Sequence, residues 1–72
     1  MIASERSELK TVRRILRAVS ELHVAGLHQT AEMLTYKLTG ETGALHVRRD
    51  LRTGEARLWN GNDFIASSSE PI

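Results

Sequence analysis

Seventy-two residues with a formal net charge of +1 and no cysteine describe one small domain, and exclude disulfides and thiolate metal sites. A chain this short buries only about 60% of the surface that its unfolded form exposes, so its core is marginal and a homodimer is the expected compensation. No run approaches the roughly 20 apolar residues of a membrane span, and the charged stretch Met1–Arg6 has no apolar segment of the kind a secretory signal needs. A cytoplasmic protein is expected, with no membrane partner.

Residues 1–4 are expected to fray, with Ser4 or Ser7 as a helix cap ahead of Glu5 and Glu8, which suit the positive end of a helix dipole. From there Leu9, Val12, Leu16 and Val19 recur at helical spacing, and Ile15 and Leu22 widen the stripe. The stretch Ser20–Thr30 then reverses the chain. With Gly26 as the left-handed residue after the helix, Leu22 and Leu27 take the two positions between which a Schellman motif makes its hydrophobic contact. A second helix follows at once, with Leu27, Ala31, Leu34 and Leu38 as its apolar stripe. So short a link makes the two helices an antiparallel hairpin. The competing reading is one long helix that tolerates an internal glycine at roughly 1 kcal/mol.

Thr39-Gly-Glu-Thr-Gly43 ends the second helix, and the period changes to two. It is not a phosphate loop, because it follows a helix and leads into a strand. Leu45 and Val47, with Arg49, point one way; His46, Arg48 and Asp50 point the other. Leu51–Glu55 reads as a turn closed by a left-handed Gly54, after which Ala56, Leu58 and Asn60 alternate with Arg57 and Trp59. Asn60–Asp63 is a second turn signal, and Phe64–Ala66 can add a short third strand. Residues 67–72 have no periodicity and read as a flexible tail on a domain spanning 1–66. The fold class is therefore α+β, an antiparallel helical hairpin followed by a β-hairpin. The Leu45/Val47/Ala56/Leu58 face should lie on the helices or on a second subunit, since a lone hairpin is marginal in water.

No nucleophile–base–orienter set is visible, so no enzymatic activity, cofactor or small-molecule substrate is expected. His23, His28 and Glu32 are the nearest approach to a metal set, but they lack a fourth ligand and read as ordinary helix-end residues. Met33, Tyr36, Trp59 and Phe64 hold nearly all the aromatic and soft apolar surface. Met33 and Tyr36 fall off the stripe of the second helix, and Trp59 lies opposite Leu58. Exposed aromatic residues mark interfaces, so Met33, Tyr36 and Trp59, with Arg57 at the rim, are the expected contacts of a protein partner. The alternative partner is nucleic acid. Eight of the ten basic residues are arginine, a bias that suits bidentate phosphate contacts and that a GC-rich coding sequence would also produce. Lys10, Arg13, Arg14 and Arg17 gather on one side of the first helix as a basic ridge, and Arg48, Arg49 and Arg52 decorate the hairpin. In composition alone the chain resembles the general run of small bacterial or phage accessory proteins. A regulatory or inhibitory protein that binds another protein as a homodimer is the leading expectation.

Overall fold

A computed structural model describes residues 3–41 and 43–71, with side chains from residue 8 onward. Helix α1 (Ala3–Val24) and helix α2 (His28–Thr39) are followed by strands β1 (Leu45–Arg49), β2 (Ala56–Asn60) and β3 (Asp63–Ser67). Helix α1 already contains Ser4 and Ser7, so neither is its cap. Once a helix is nucleated each further residue is cheap to add, and acidic residues at its start favour the extension.

The reversal is a Schellman motif in its backbone. The Leu27 N–H donates to the Leu22 carbonyl at 2.8 Å and the Gly26 N–H to the His23 carbonyl at 3.0 Å, with Gly26 at φ +83°. The apolar half of the motif is weaker than expected. Leu22 packs against the core, but Leu27 precedes α2 and remains 53% exposed. The stripe that α2 buries is thus Ala31, Leu34 and Leu38, with Ala31 fully enclosed.

The three strands form one antiparallel sheet in the order β1-β2-β3. Asp50 starts the β1–β2 turn by accepting the N–H groups of Arg52 and Thr53 on its carboxylate, at 2.8 and 3.3 Å. Gly54, at φ +81°, closes the turn through its N–H to the Asp50 carbonyl at 2.7 Å. The Ser20 hydroxyl donates to the Gly54 carbonyl, which pins the turn to the last turns of α1. Helix α1 lies over β2 and β3, and α2 over β1. Between the layers sit Leu16, Val19, Ala31, Ala56, Leu58 and Ala66, joined by half-buried Leu45 and Val47. The expected hairpin face therefore does cover the helices.

Strand β3 departs from simple alternation. Leu58 pairs with Ala66 and Trp59 with Phe64, so Ile65 is an extra residue between two pairs, a β-bulge. Ile65 and Ala66 consequently both serve the core, while Phe64 stays on the side of Trp59. The boundary expected at residue 66 also moves. Ser67 is buried within β3, and the pairing continues with the Ser68 N–H on the Ala56 carbonyl at 2.8 Å and the Ala56 N–H on the Ser68 hydroxyl at 2.9 Å. Serine hydroxyls hold this segment where apolar periodicity is lacking, a pattern that a search for hydrophobic alternation does not register. Ile72 lies outside the described residues.

An ideal Cβ at Gly26 would meet nothing within 4 Å, so substitution there tests backbone conformation alone. Gly26→Val should lower stability by about 1–3 kcal/mol, because a β-branched residue resists positive φ. Gly26→Asn, which tolerates that conformation, should lose less in the same urea titration. A valine variant with an unchanged midpoint would show that this turn does not hold the helices.

Candidate functional site: the open face of the sheet

With both helices on one side, alternation delivers His46 and Arg48 from β1, and Arg57 and Trp59 from β2, to the other. The bulge adds Phe64 from β3. Register places His46 across from Trp59, Arg48 across from Arg57, and Trp59 across from Phe64. Two arginines directly opposed should repel. Each is drawn aside: the Arg48 guanidinium lies 5.4 Å from the centroid of the Trp59 ring, and Arg57 Nε is 2.7 Å from Glu55 Oε1. Phe64 meets the indole edge-on at 5.7 Å, with 76° between the rings, and is itself 45% exposed. Trp59 thus stands at the centre of a cluster with a cation on one side and an aromatic edge on another. Beside it Arg48, Arg49, Asp50, Arg57 and Trp59 line a shallow depression of about 290 Å³. Trp59 Nε1 and His46 Nε2 are shielded from solvent and find no hydrogen-bond partner among the described residues. Leaving such a group unpaired costs about 1–3 kcal/mol.

Glu55 anchors the rim. Its Oε2 accepts the Ser67 hydroxyl at 2.6 Å and also the Ser69 hydroxyl, while Oε1 takes Arg57. These hydrogen bonds, that from Ser67 foremost, hold its carboxyl below the usual range.

The remaining expected site residues are dispersed. Met33, 63% exposed, and Tyr36, 51% exposed, lie on α2 with the sheet between them and Trp59 and Arg57. The expected four-residue partner surface is therefore two surfaces. The Tyr36 hydroxyl donates to Glu41 at 2.5 Å, which raises the phenol above its ordinary value. Arg52 is exposed in the β1–β2 turn. Arg49, which borders the depression beside Trp59, also lines a cleft of about 300 Å³ on the helix side with Val19, His23, Glu32, Thr35 and Val47. The ridge of α1 is also divided. Lys10 and Arg14 are exposed, but the Arg13 guanidinium is half-buried 3.8 Å from the Glu70 carboxylate, and Arg17 donates to the Glu70 carbonyl at 3.2 Å. Residues of α1 and of the hairpin therefore do not form one continuous basic track. His23 and His28 meet across the reversal with their Nδ1 atoms 2.9 Å apart. Burial first, then Arg49 and His28, lowers the His23 pKa, and Glu32 opposes the shift. Among the described residues no group of three or more His, Cys, Asp or Glu is placed to hold a metal. Nor is any helix in that set long and apolar enough to cross a membrane.

His46 and Phe64 belong to the cluster, although neither is among the partner contacts expected from the sequence. Alternation alone could have found His46. Phe64 could not be found that way, because simple alternation from Trp59 says nothing of a bulge. No family model, curated protein or solved structure matches the chain.

A carboxylate held below its unfolded value adds stability that is present above the unfolded pKa, 4.5, and lost as the pH falls through the folded one. Glu55→Gln should therefore flatten the acid side of the melting-temperature profile below that pH and change its slope little near neutrality. A variant whose acid profile still follows the parent's would remove Glu55 from the groups that link the rim to stability.

Proposed function

We propose that this chain is a small, non-enzymatic regulatory or inhibitory protein that acts as a homodimer and binds another protein through the open face of its sheet. The observation that carries the reading is the Arg48–Trp59–Phe64 cluster, an aromatic anchor with a guanidinium beside it on the sheet face opposite the helices. Tryptophan and arginine dominate the energetics of protein interfaces, and a tryptophan already braced by neighbours loses little rotamer freedom on binding. The partner surface that fits offers an apolar pocket for the indole and phenyl rings, with carboxylates set to meet Arg48 and Arg57. Met33 and Tyr36 leave the proposed contact and Phe64 and His46 join it.

The polar groups favour a binder over a catalyst. Glu55, the carboxylate that accepts the serine hydroxyls, is a weakened base because those hydroxyls stabilise its charged form. A cytoplasmic location is part of the proposal, and a chain without cysteine is suited to a reducing compartment.

Affinity capture from the source lysate with the immobilised protein tests the surface. Trp59→Ala should weaken capture of a specific partner by about 30-fold or more, the effect of a hot spot of about 2 kcal/mol, with Arg48→Ala next. Met33→Ala should leave it intact. A partner held as tightly by Trp59→Ala as by the parent would refute the assignment.

Single-stranded nucleic acid is the second reading, favoured by the alternation of arginine and aromatic residues on an open antiparallel sheet, on which bases could stack. Pairing of Arg57 with Glu55 and a net charge of +1 leave it weaker. Under this reading an oligonucleotide should quench Trp59, the single tryptophan, with an affinity that falls steeply as salt rises. No quenching at low salt would discard it.

A further inference from the structure

The two outer strands of the sheet are finished differently. Strand β3 is bulged at Ile65, and its outward Ser67 N–H is taken by a Glu70 carboxylate oxygen at 2.5 Å. A bulge and a capped donor are devices that stop further pairing. Strand β1, at the other edge, has neither. It pairs with β2 from Leu45 to Arg49 without a register shift, and no proline or glycine interrupts it.

The phase of its ladder says which backbone groups face outward. The Asp50 N–H donates to the Glu55 carbonyl at 2.8 Å, and the Ala44 carbonyl accepts the Gly61 N–H at 2.9 Å. Both contacts continue the register of the strands, so His46 and Arg48 also turn their N–H and C=O groups towards β2. Leu45, Val47 and Arg49 turn theirs away from it. Among the described residues no backbone group bonds to these three from the outer side. Alternating donors and acceptors in a straight row are matched by one kind of ligand, another extended backbone.

The side chains select which extended backbone fits. On the helix side the edge carries half-buried Leu45 and Val47. On the open face it carries His46 and exposed Arg48, and among the described residues Arg48 has no carboxylate within ion-pair distance. Its cross-strand neighbour Arg57 is already held by Glu55, and Arg49 shares its cleft with Glu32. The uncompensated charge of this edge therefore lies on the open face. A second copy of β1 paired here would bring two such arginines to one face with no carboxylate of either strand between them, an arrangement that like-charge repulsion disfavours. We propose that β1 accepts, as a fourth strand of the sheet, an extended segment of a partner protein in which carboxylates alternate with apolar side chains. The apolar residues lie beside Leu45 and Val47, and the carboxylates beside Arg48. This inference rests on the proposed function only in taking the partner to be a protein.

Titration of the isotope-labelled whole chain with a capped peptide of about seven residues, alternating valine and glutamate, provides the test. Binding should have a Kd of about 100 µM or tighter, shift the amide resonances of Leu45, Val47 and Arg49, and slow their hydrogen exchange about tenfold or more. A peptide with lysine in place of glutamate should bind at least about 10-fold more weakly, and salt should weaken the glutamate peptide. In antiparallel pairing the valine amides face β1, so their N-methylation should abolish binding, while N-methylation of the glutamate amides should not. Val47→Pro removes an outward N–H and no bond to β2, so it should stay folded and lose the peptide. Should that variant unfold, the methylated peptides decide with the protein unaltered. No binding at about 1 mM, equal binding of the two methylated peptides, or a lysine peptide held as tightly would overturn the proposal. So would Leu45, Val47 and Arg49 amides that are protected in the free chain and released on dilution, because a second copy would then hold the edge. A lysate partner lost by Trp59→Ala but kept by folded Val47→Pro would leave the open face standing without the edge. Peptide binding at the edge beside capture that ignores Trp59→Ala would do the reverse, so the two failures are separable.

Discussion

Two backbone hydrogen bonds around Gly26 fix the geometry on which the remaining contacts are built. By returning the chain at once, they hold α2 antiparallel to α1 and close enough for Ala31 to be fully enclosed. A larger residue at that position would push the helices apart and tilt α2 away from β1. The C-terminal half of α1 then receives the sheet, with Leu16 and Val19 as its two large fully buried side chains and Ser20 holding the β1–β2 turn through Gly54. The same residues that end one helix therefore set the position of both later layers. Loss of the reversal would uncouple helix packing from sheet docking, which is why a domain with so few buried groups depends on it.

Two faces of opposite character follow from where the sheet lies. On the helix side, small residues allow close approach and the bulge at Ile65 supplies a second apolar side chain from β3. On the other side, the bulge keeps Phe64 beside Trp59, and the opposed arginines are drawn off to the indole and to Glu55. Glu55 in turn depends on Ser67 and Ser69, so the last described residues help to set the charge pattern of the open face. Glu70 reaches the opposite way, to Arg13 and Arg17 of α1. This short segment pairs Arg13 of the helix ridge with a carboxylate while supporting the rim of the sheet.

Features encoded by neighbours in the chain are legible in the amino-acid sequence itself. Gly26 between Leu22 and Leu27, Asp50 and Gly54 in the hairpin turn, and the alternation of Leu45, Val47, Ala56 and Leu58 each carry their own local physics. What is not legible depends on partners far apart in the chain. Nothing near Met33 or Tyr36 reveals that the sheet will separate them from Trp59, because that depends on which sheet face the helices cover. Arg13 and Arg17 look like a free basic ridge until Glu70, more than 50 positions away, is brought to them. Phe64 requires the bulge, and the Ser67–Glu70 segment requires hydroxyl pairing where the chain has no apolar rhythm. The candidate site is thus half legible: its strand residues can be assigned to a face, but its composition cannot.

The division of labour between surfaces bears on how so small a domain can bind anything firmly. A single aromatic cluster on a three-stranded sheet is a small contact, and association costs several kcal/mol in lost translational and rotational freedom before any net affinity appears. Two such faces on a two-fold dimer would change that balance, because the second contact forms at high effective concentration once the first has been made. Helix α1 serves that face through its C-terminal half, where Leu16 and Val19 support the sheet that carries Trp59.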